Sequence, residues 1–185
     1  EQILGIDRFG ANGEPPVPSV KSFAGTDERA VLADFAELLR GYMNKKFQRL
    51  CGHNIREFDV PVLARRMLIQ NLSPLPPGLA VWGLKPWEVP HIDTMDMWRF
   101  GDFKAYTSLE LLAASLGVPT PKQDIDGSQV GRVFWEEGDV DRIQRYCEAD
   151  VLATMNVCLR LCGQPMHTET PPEEASEEAG EAASE

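Results

Sequence analysis

The sequence lacks several features that would assign it to common classes of protein. It has no apolar run of 18 or more residues, so no membrane-spanning helix is expected. It has no glycine-rich phosphate loop, so an enzyme that uses a nucleotide cofactor has no support. Its cysteines form no C-x-x-C pair and have no zinc-ligand spacing. We expect all four to be reduced, mostly buried thiols of a cytoplasmic protein: Cys51, Cys147, Cys158 and Cys162.

Basic residues are also scarce relative to acidic ones, and the formal net charge is −11. Much of this charge lies in residues 169–185, which contain seven Glu and no Lys or Arg. Without that segment the chain has 22 acidic and 18 basic residues. The protein is therefore not expected to hold nucleic acid by bulk positive charge. A nuclease that uses metal ions is still possible, because bound cations can meet the phosphate.

Composition divides the chain into two regions. Residues 1–165, in a chain that is 43% hydrophobic overall, are expected to form one domain with a real core. Residues 166–185 are rich in Pro, Glu, Ser and Ala and are expected to be a disordered acidic tail. The sequence begins with Glu1 instead of Met, so we expect a processed chain or a fragment of a longer one.

The order of predicted elements is that of an α/β domain with a mixed sheet flanked by helices. Strands over 2–9 and 19–24 form a hairpin. Then come a helix capped by Thr26, a strand over 48–53, a helix over 60–72, a strand over 91–95, a helix over 108–116 and a last helix over 140–161. Residues 73–90, with five prolines, and 118–137 are expected to be loops.

The first chemical motif is His53-Asn54-Ile55-Arg56-Glu57-Phe58-Asp59, which follows a strand and opens a helix. Ligand sites of α/β sheets lie at the carboxyl ends of strands, so Asp59 is a candidate site carboxylate. Equally, Asp59 could simply cap the helix.

The second motif is Tyr146-Cys147-Glu148-Ala149-Asp150 on the last helix. Tyr146 and Asp150 are four residues apart, so they share one face at the edge of the apolar stripe. A half-exposed Asp beside a core Tyr is the plain structural interpretation.

Taken together, the two motifs resemble the DEDD superfamily of 3′–5′ exonucleases in its tyrosine form. Asn54, Phe58, Asp59, Pro61 and Leu63 resemble the second exonuclease motif of family B DNA polymerases, and Tyr146 and Asp150 resemble the third. Residues 1–162 are similar to bacterial predicted exonucleases related to that polymerase domain, with further likeness at 85–90 and 124–131. The resemblance implies a ribonuclease-H-like fold.

The resemblance also implies roles for individual residues. Asp59 and Asp150 would bind two divalent cations, Mg²⁺ or Mn²⁺, because such cations prefer oxygen ligands. Asp150 would serve the cation that activates water, and Asp59 the cation on the leaving-group side. The Tyr146 hydroxyl would orient the attacking water. The implied substrate is a nucleic-acid 3′ end, DNA in preference to RNA and single-stranded, with no role for a membrane.

One departure from the family pattern is serious. The family carries a D-x-E motif on its first, central strand, and no D-x-E occurs in this sequence. Residues 1–9 match the family's second strand, so the central strand is expected upstream or has been lost. The chain as given is therefore expected to be inactive. The alternative is a non-catalytic nucleic-acid-binding or interaction module that kept the fold.

Other residues are weaker candidates for contact with nucleic acid. Within the first motif these are His53, Asn54 and Phe58, although a histidine that ends a strand is more often structural. The loop before the last helix adds Lys122, Gln129 and Arg132. Asp93 and Asp96 are interpreted as structural.

Overall fold

The computed structural model describes residues 3–5, 18–44, 48–102, 104–120 and 124–167. The strands are β1 Ile3–Gly5, β2 Ser19–Lys21, β3 Cys51–Gly52 and β4 Ile92–Asp93. The helices are α1 Glu28–Tyr42, α2 Asp59–Ile69, α3 Thr94–Arg99, α4 Leu109–Leu116, α5 Val130–Arg132 and α6 Val140–Leu161. A 3₁₀ turn spans Pro86–Glu88 and a π-helical turn spans Val133–Glu137. Among the described helices none is long and apolar enough to cross a membrane.

The strands form two separate pairs. β1 and β2 are antiparallel, with Leu4 opposite Val20, as the predicted hairpin requires. β3 and β4 are parallel, with Gly52 opposite Asp93. No strand within the described ranges joins the two pairs into one sheet. The fold is therefore mixed α/β, with a small parallel sheet and helices around it.

Several helix boundaries follow from side chains that cap them. Asp27, not Thr26, caps α1, because its carboxylate accepts the backbone N–H groups of Arg29 and Ala30. Ser108 caps α4 through Leu111 N–H, and Gly117 ends it in the left-handed conformation. Asp139 caps α6, whose bounds agree with the predicted helix.

Two further sequence-based expectations, on the segments 91–95 and 118–137, are wrong. The strand predicted over 91–95 ends at Asp93, because the Asp93 carboxylate accepts the N–H of Met95 and starts α3. The loop predicted over 118–137 contains α5 and the π-helical turn, whose Val133 is fully buried. Arg132 pairs with Glu137 across that turn.

The main core lies between α1, α2 and the segments that follow them. Its buried members are Leu32, Phe35, Ala36, Leu39, Leu50, Ile55, Val60, Leu63, Met67, Leu75 and Leu79. A second cluster, Leu112, Ala113, Val118 and Val157, joins α4 to α6. The helix α6 also packs against β1, β3 and α3, so it touches both strand pairs.

The end of the described chain packs on α6. Met166 lies against the second cluster, and the side chain of Asn156 bonds both the N–H and the C=O of His167. Met166 and His167 are the first two residues of the predicted acidic tail. Its other residues, 168–185, lie outside the described part of the chain.

Candidate active site

Asp59 is the first residue of α2 and follows β3 after a short turn. Phe58 occupies the cap position and makes no side-chain cap bond, so the interpretation of Asp59 as the N-cap is wrong. The Asp59 side chain is half-buried, and Phe58 beside it is 60% exposed. An acidic residue in the first turn also interacts favourably with the helix dipole.

The turn that leads to Asp59 is held by the carboxylate of Asp93. This side chain is 3% exposed and accepts the N–H groups of Asn54 at 2.9 Å, Arg56 at 3.2 Å and Met95 at 3.0 Å. Three N–H donors stabilise a carboxylate in a site that excludes water. The structural role expected of Asp93 is therefore confirmed, and that role is to fix the segment that carries the first motif.

Arg56 adds a second tie between the same segments. Its guanidinium donates to the carbonyl oxygens of Val89 and His91, with a shortest distance of 2.7 Å. It also pairs with Asp96 at 3.0 Å, and Asp96 pairs with Arg99. A planar guanidinium with several donors suits such a multiple contact. Asp96 is thus structural, as expected.

Both ring nitrogens of His53 are engaged. Nδ1 lies 2.9 Å from Oγ1 of Thr94, and Nε2 lies 2.8 Å from the carbonyl oxygen of Thr107. A contact between His53 and a nucleic acid would have to displace one of these partners. The predicted substrate contact of His53 remains a prediction.

Asn54 is the most strained residue of the motif. Its φ of 60° lies in the left-handed region, which Asn tolerates better than most residues. Its buried Oδ1 has no hydrogen-bond partner within the described residues. Strained backbone and an unpaired buried acceptor are both more frequent at functional sites than elsewhere.

Gly52 makes the close approach of this turn to β3 possible. A Cβ atom at Gly52 would lie 2.7 Å from Cβ of Ile55, which is far inside van der Waals contact. Ile55 is itself a member of the main core. Any side chain at position 52 would prevent this approach, so Gly52 allows the first motif to lie against β3.

Tyr146 and Asp150 are in contact, as their spacing on α6 predicts. The Tyr146 hydroxyl donates a hydrogen bond to the Asp150 carboxylate. Burial, followed by the negative charge and hydrogen bond of Asp150, raises the pKa of Tyr146 to about 12. Tyr146 therefore stays protonated at neutral pH and serves as a hydrogen-bond donor. Gly127 faces this hydroxyl, because a Cβ built there would lie 3.6 Å from it.

The loop candidates are engaged in local structure or lie outside the described part. Lys122 is outside it. The Gln129 side chain accepts the N–H of Asp126 at 3.0 Å, and Arg132 pairs with Glu137 at 3.1 Å. Both interactions are exposed, so these side chains can exchange partners at small cost. Their contact with nucleic acid stays a prediction.

The strand that precedes the first motif packs against the helix that carries the second, because β3 contacts α6. The described residues contain no group of three or more His, Cys, Asp or Glu side chains that could hold a metal ion. Asp59 and Asp150 alone thus do not make a complete site for two cations. That their carboxylates share one cleft remains a prediction.

Sequence reasoning missed Glu148, which lies between Tyr146 and Asp150 on α6. Glu148 accepts hydrogen bonds from the Ser22 hydroxyl and from the Gln144 side chain, so it joins α6 to the exit of β2. The Gln144 contact could have been predicted from the spacing of four residues on one helix. The Ser22 contact spans 126 residues and leaves no local signal.

Comparison with known proteins assigns the chain to a family. The family model described as a predicted 3′–5′ exonuclease related to the exonuclease domain of PolB matches residues 11–181. The chain therefore belongs to this family of predicted exonucleases, and the suspected resemblance is confirmed. No curated protein and no solved structure matches it.

Proposed function

We propose that this protein is a 3′–5′ exonuclease domain that hydrolyses phosphodiester bonds at nucleic-acid 3′ ends. The observation that carries the proposal is the Tyr146–Asp150 hydrogen bond on α6, in a chain whose family is defined by predicted exonuclease activity. The fold we propose is ribonuclease-H-like, and the substrate is single-stranded DNA in preference to RNA.

In this proposal Tyr146 and Asp150 act as a donor–acceptor pair. With a pKa of about 12 the Tyr146 hydroxyl keeps its proton, so it can orient a water or a phosphate oxygen but is not a general base near pH 7. Asp150 holds the hydroxyl in place. Asp59 contributes the second carboxylate at the start of α2, on a turn that Asp93 and Arg56 keep rigid.

Metal dependence is part of the proposal, but the described residues do not complete the site. Two divalent cations, Mg²⁺ or Mn²⁺, would supply stabilisation of charge on the phosphate. Such ions keep most of their waters unless several anionic oxygens converge on them. We propose that the missing carboxylates belong to a strand with the D-x-E motif, and that the 185-residue chain alone has little activity.

The test compares the 185-residue chain with a chain extended at its amino end to include such a strand. Each is incubated with Mn²⁺ and a 5′-labelled single-stranded DNA oligonucleotide. We expect a ladder of shortened products from the extended chain only. Asp150→Asn and Asp59→Asn in that chain should lower the rate by about 10²-fold or more, as removal of an electrostatic group at a reacting centre does. Asp34→Asn, an exposed change on α1, is the matched control.

A second function is favoured by the absence of a complete metal group from the described residues. The alternative is a nucleic-acid-binding or interaction module that keeps the fold without catalysis. It predicts that the extended chain binds the oligonucleotide without shortening it, with or without Mn²⁺. Degradation by the 185-residue chain itself would contradict both the inactivity proposed here and this alternative.

A further inference from the structure

Three of the four cysteines meet where β3 packs on α6. The Cys158 thiol is in hydrogen-bond contact with Cys51 of β3 and with Cys162 at the end of α6. Cys158 and Cys162 are four residues apart, so they share one face of the helix. Cys51 approaches that face from the strand. The cluster therefore brings together thiols from two elements that are distant in sequence.

The cluster is open to solvent. Cys51 and Cys162 are exposed, Cys158 is half-buried, and all are free thiols. The expectation that the cysteines are mostly buried is thus wrong. Cys147 is half-buried and lies eleven residues before Cys158 on the same helix, which is about 16 Å along its axis. It is therefore a natural control that lies outside the cluster.

The contacts also make the three thiols chemically unequal. Hydrogen bonds from Cys51 and Cys162 favour the charged form of Cys158 and lower its pKa to about 7. The bond to Cys158 and nearby negative charges, including that of Asp93, raise the pKa of Cys51. Partial loss of contact with water, followed by the negative charge of Cys158, raises the pKa of Cys162. Cys158 is therefore the thiolate of the cluster, and the thiolate is the nucleophilic form of cysteine.

We propose that Cys158 and Cys51 are a peroxide-sensitive thiol pair, which closes to an intramolecular disulfide between α6 and β3. In the first step the Cys158 thiolate attacks one oxygen of hydrogen peroxide. The O–O bond breaks, hydroxide leaves and takes up a proton to become water, and Cys158 becomes a sulfenic acid. In the second step Cys51 loses its proton, its sulfur attacks the Cys158 sulfur, and the S–OH oxygen leaves as water.

The reaction is balanced as two thiols and one peroxide giving one disulfide and two waters. Two electrons pass from the sulfurs to the peroxide, and a dithiol reductant reverses the bridge. The bridge would join the strand that precedes Asp59 to the helix that carries Asp150. The proposal stands on the thiol contacts and is independent of the nuclease activity.

The test uses the reduced 185-residue chain, treated with hydrogen peroxide near neutral pH. We expect two of the four thiols to be lost, together with the mass of two hydrogens. Cleavage at arginine and before aspartate separates Cys147 from Cys158, because Asp150 lies between them. Mass spectrometry should then find the Cys51 fragment linked to the Cys158 fragment.

Single variants identify the reacting pair. Cys158→Ser should slow thiol loss by about tenfold or more, since the low-pKa thiolate is removed, and the matched Cys147→Ser should leave the rate unchanged. Cys51→Ser is the second variant, used if Cys158→Ser does not fold by circular dichroism. It should stop at the sulfenic acid, which dimedone traps, without forming the Cys51–Cys158 link.

Three results would overturn the proposal. The first is equal oxidation rates in the Cys158→Ser and Cys147→Ser variants. The second is a bridge between Cys158 and Cys162 with Cys51 still free. The third is one equivalent of Zn²⁺ retained by the wild type through dialysis and lost in Cys158→Ser, which would make the cluster a metal site.

Discussion

The carboxylate of Asp93 accepts the backbone N–H of Asn54 at 2.9 Å, across 39 residues of sequence. Because β3 and β4 are parallel neighbours, the residue that ends β4 meets the turn that leaves β3. One buried side chain thereby fixes both the first site motif and the start of α3.

Replacement of Asp93 by Ala should destabilise the domain by about 2–4 kcal/mol. The buried N–H of Met95 loses its acceptor at a cost of roughly 1–3 kcal/mol, and the part-buried N–H groups of Asn54 and Arg56 lose theirs at a smaller cost, because water can reach them. Urea unfolding followed by circular dichroism measures the change. The control is Asp34→Ala, an exposed substitution on α1 that should change the free energy of unfolding by less than about 0.5 kcal/mol. Equal losses of unfolding free energy in the two variants would show that the Asp93 hydrogen bonds do not stabilise the domain.

Gly52→Ala should destabilise the fold by about 1–3 kcal/mol, since the new Cβ overlaps the Ile55 side chain in the core. Gly41→Ala is the control, and it should change the free energy of unfolding in the opposite direction. Gly41 lies within α1 with no atom near its added Cβ, so the change should stabilise by up to about 1 kcal/mol. Thermal unfolding of both variants gives the comparison, and a stable Gly52→Ala protein would mean that β3 and the turn separate easily.

The Tyr146 hydroxyl should lose its proton at a higher pH than an ordinary tyrosine. Burial, the Asp150 charge and the hydrogen bond to Asp150 disfavour the ionised form and raise the pKa of Tyr146 to about 12 from a usual value of 10.0, so the stabilisation of the fold relative to an ionised Tyr146 is fully present below pH 10. That stabilisation is lost as the pH rises from about 10 to about 12. Absorbance at 295 nm, compared between the wild type and Tyr146→Phe, isolates this group.

At pH 11 the Tyr146 signal should be mostly that of the protonated form. Asp150→Asn should move the transition to lower pH, because the Asp150 charge opposes ionisation. A transition near pH 10 in the folded wild type would show that Tyr146 does not contact Asp150.

The stabilising part of the carboxyl-terminal region should end at His167. A chain that stops there keeps the Met166 contact and the two bonds from Asn156, so its midpoint of thermal unfolding should match that of the full chain. A chain that stops at Gln164 loses both and leaves the buried Asn156 amide unpaired, at a cost of about 1–3 kcal/mol. If the first truncation destabilised the protein, the acidic residues after His167 would have to contribute to packing.

Local patterns predicted the elements whose bounds depend on neighbours in sequence. The 3.6-residue periodicity gave α6 its bounds, Ser108 and Gly117 bounded α4, and the four-residue spacing placed Tyr146 against Asp150. The early start of α3 at Thr94 depends on the Asp93 side chain turning to bond Met95, an outcome that the apolar strand pattern does not report.

The site depends on contacts that local patterns do not encode. The bonds from Asp93 to the first motif follow from the β3–β4 register, and the Ser22–Glu148 bond follows from tertiary packing across 126 residues. The cysteine cluster likewise requires β3 to lie on α6. Spacing along the chain could suggest the chemistry of single residues, but the partners of those residues come from the assembled fold.

The position of α6 also has a consequence for the order of folding. This helix is the last described element of the chain, yet it contacts β1, near the first described residues, and β3. Contacts so far apart in sequence close only after the intervening chain is available, and folds rich in them form slowly. During synthesis, the two strand pairs cannot pack against α6 until that helix has left the ribosome. Until then the surfaces of β1, β3 and α4 that α6 covers in the folded chain are exposed to other chains.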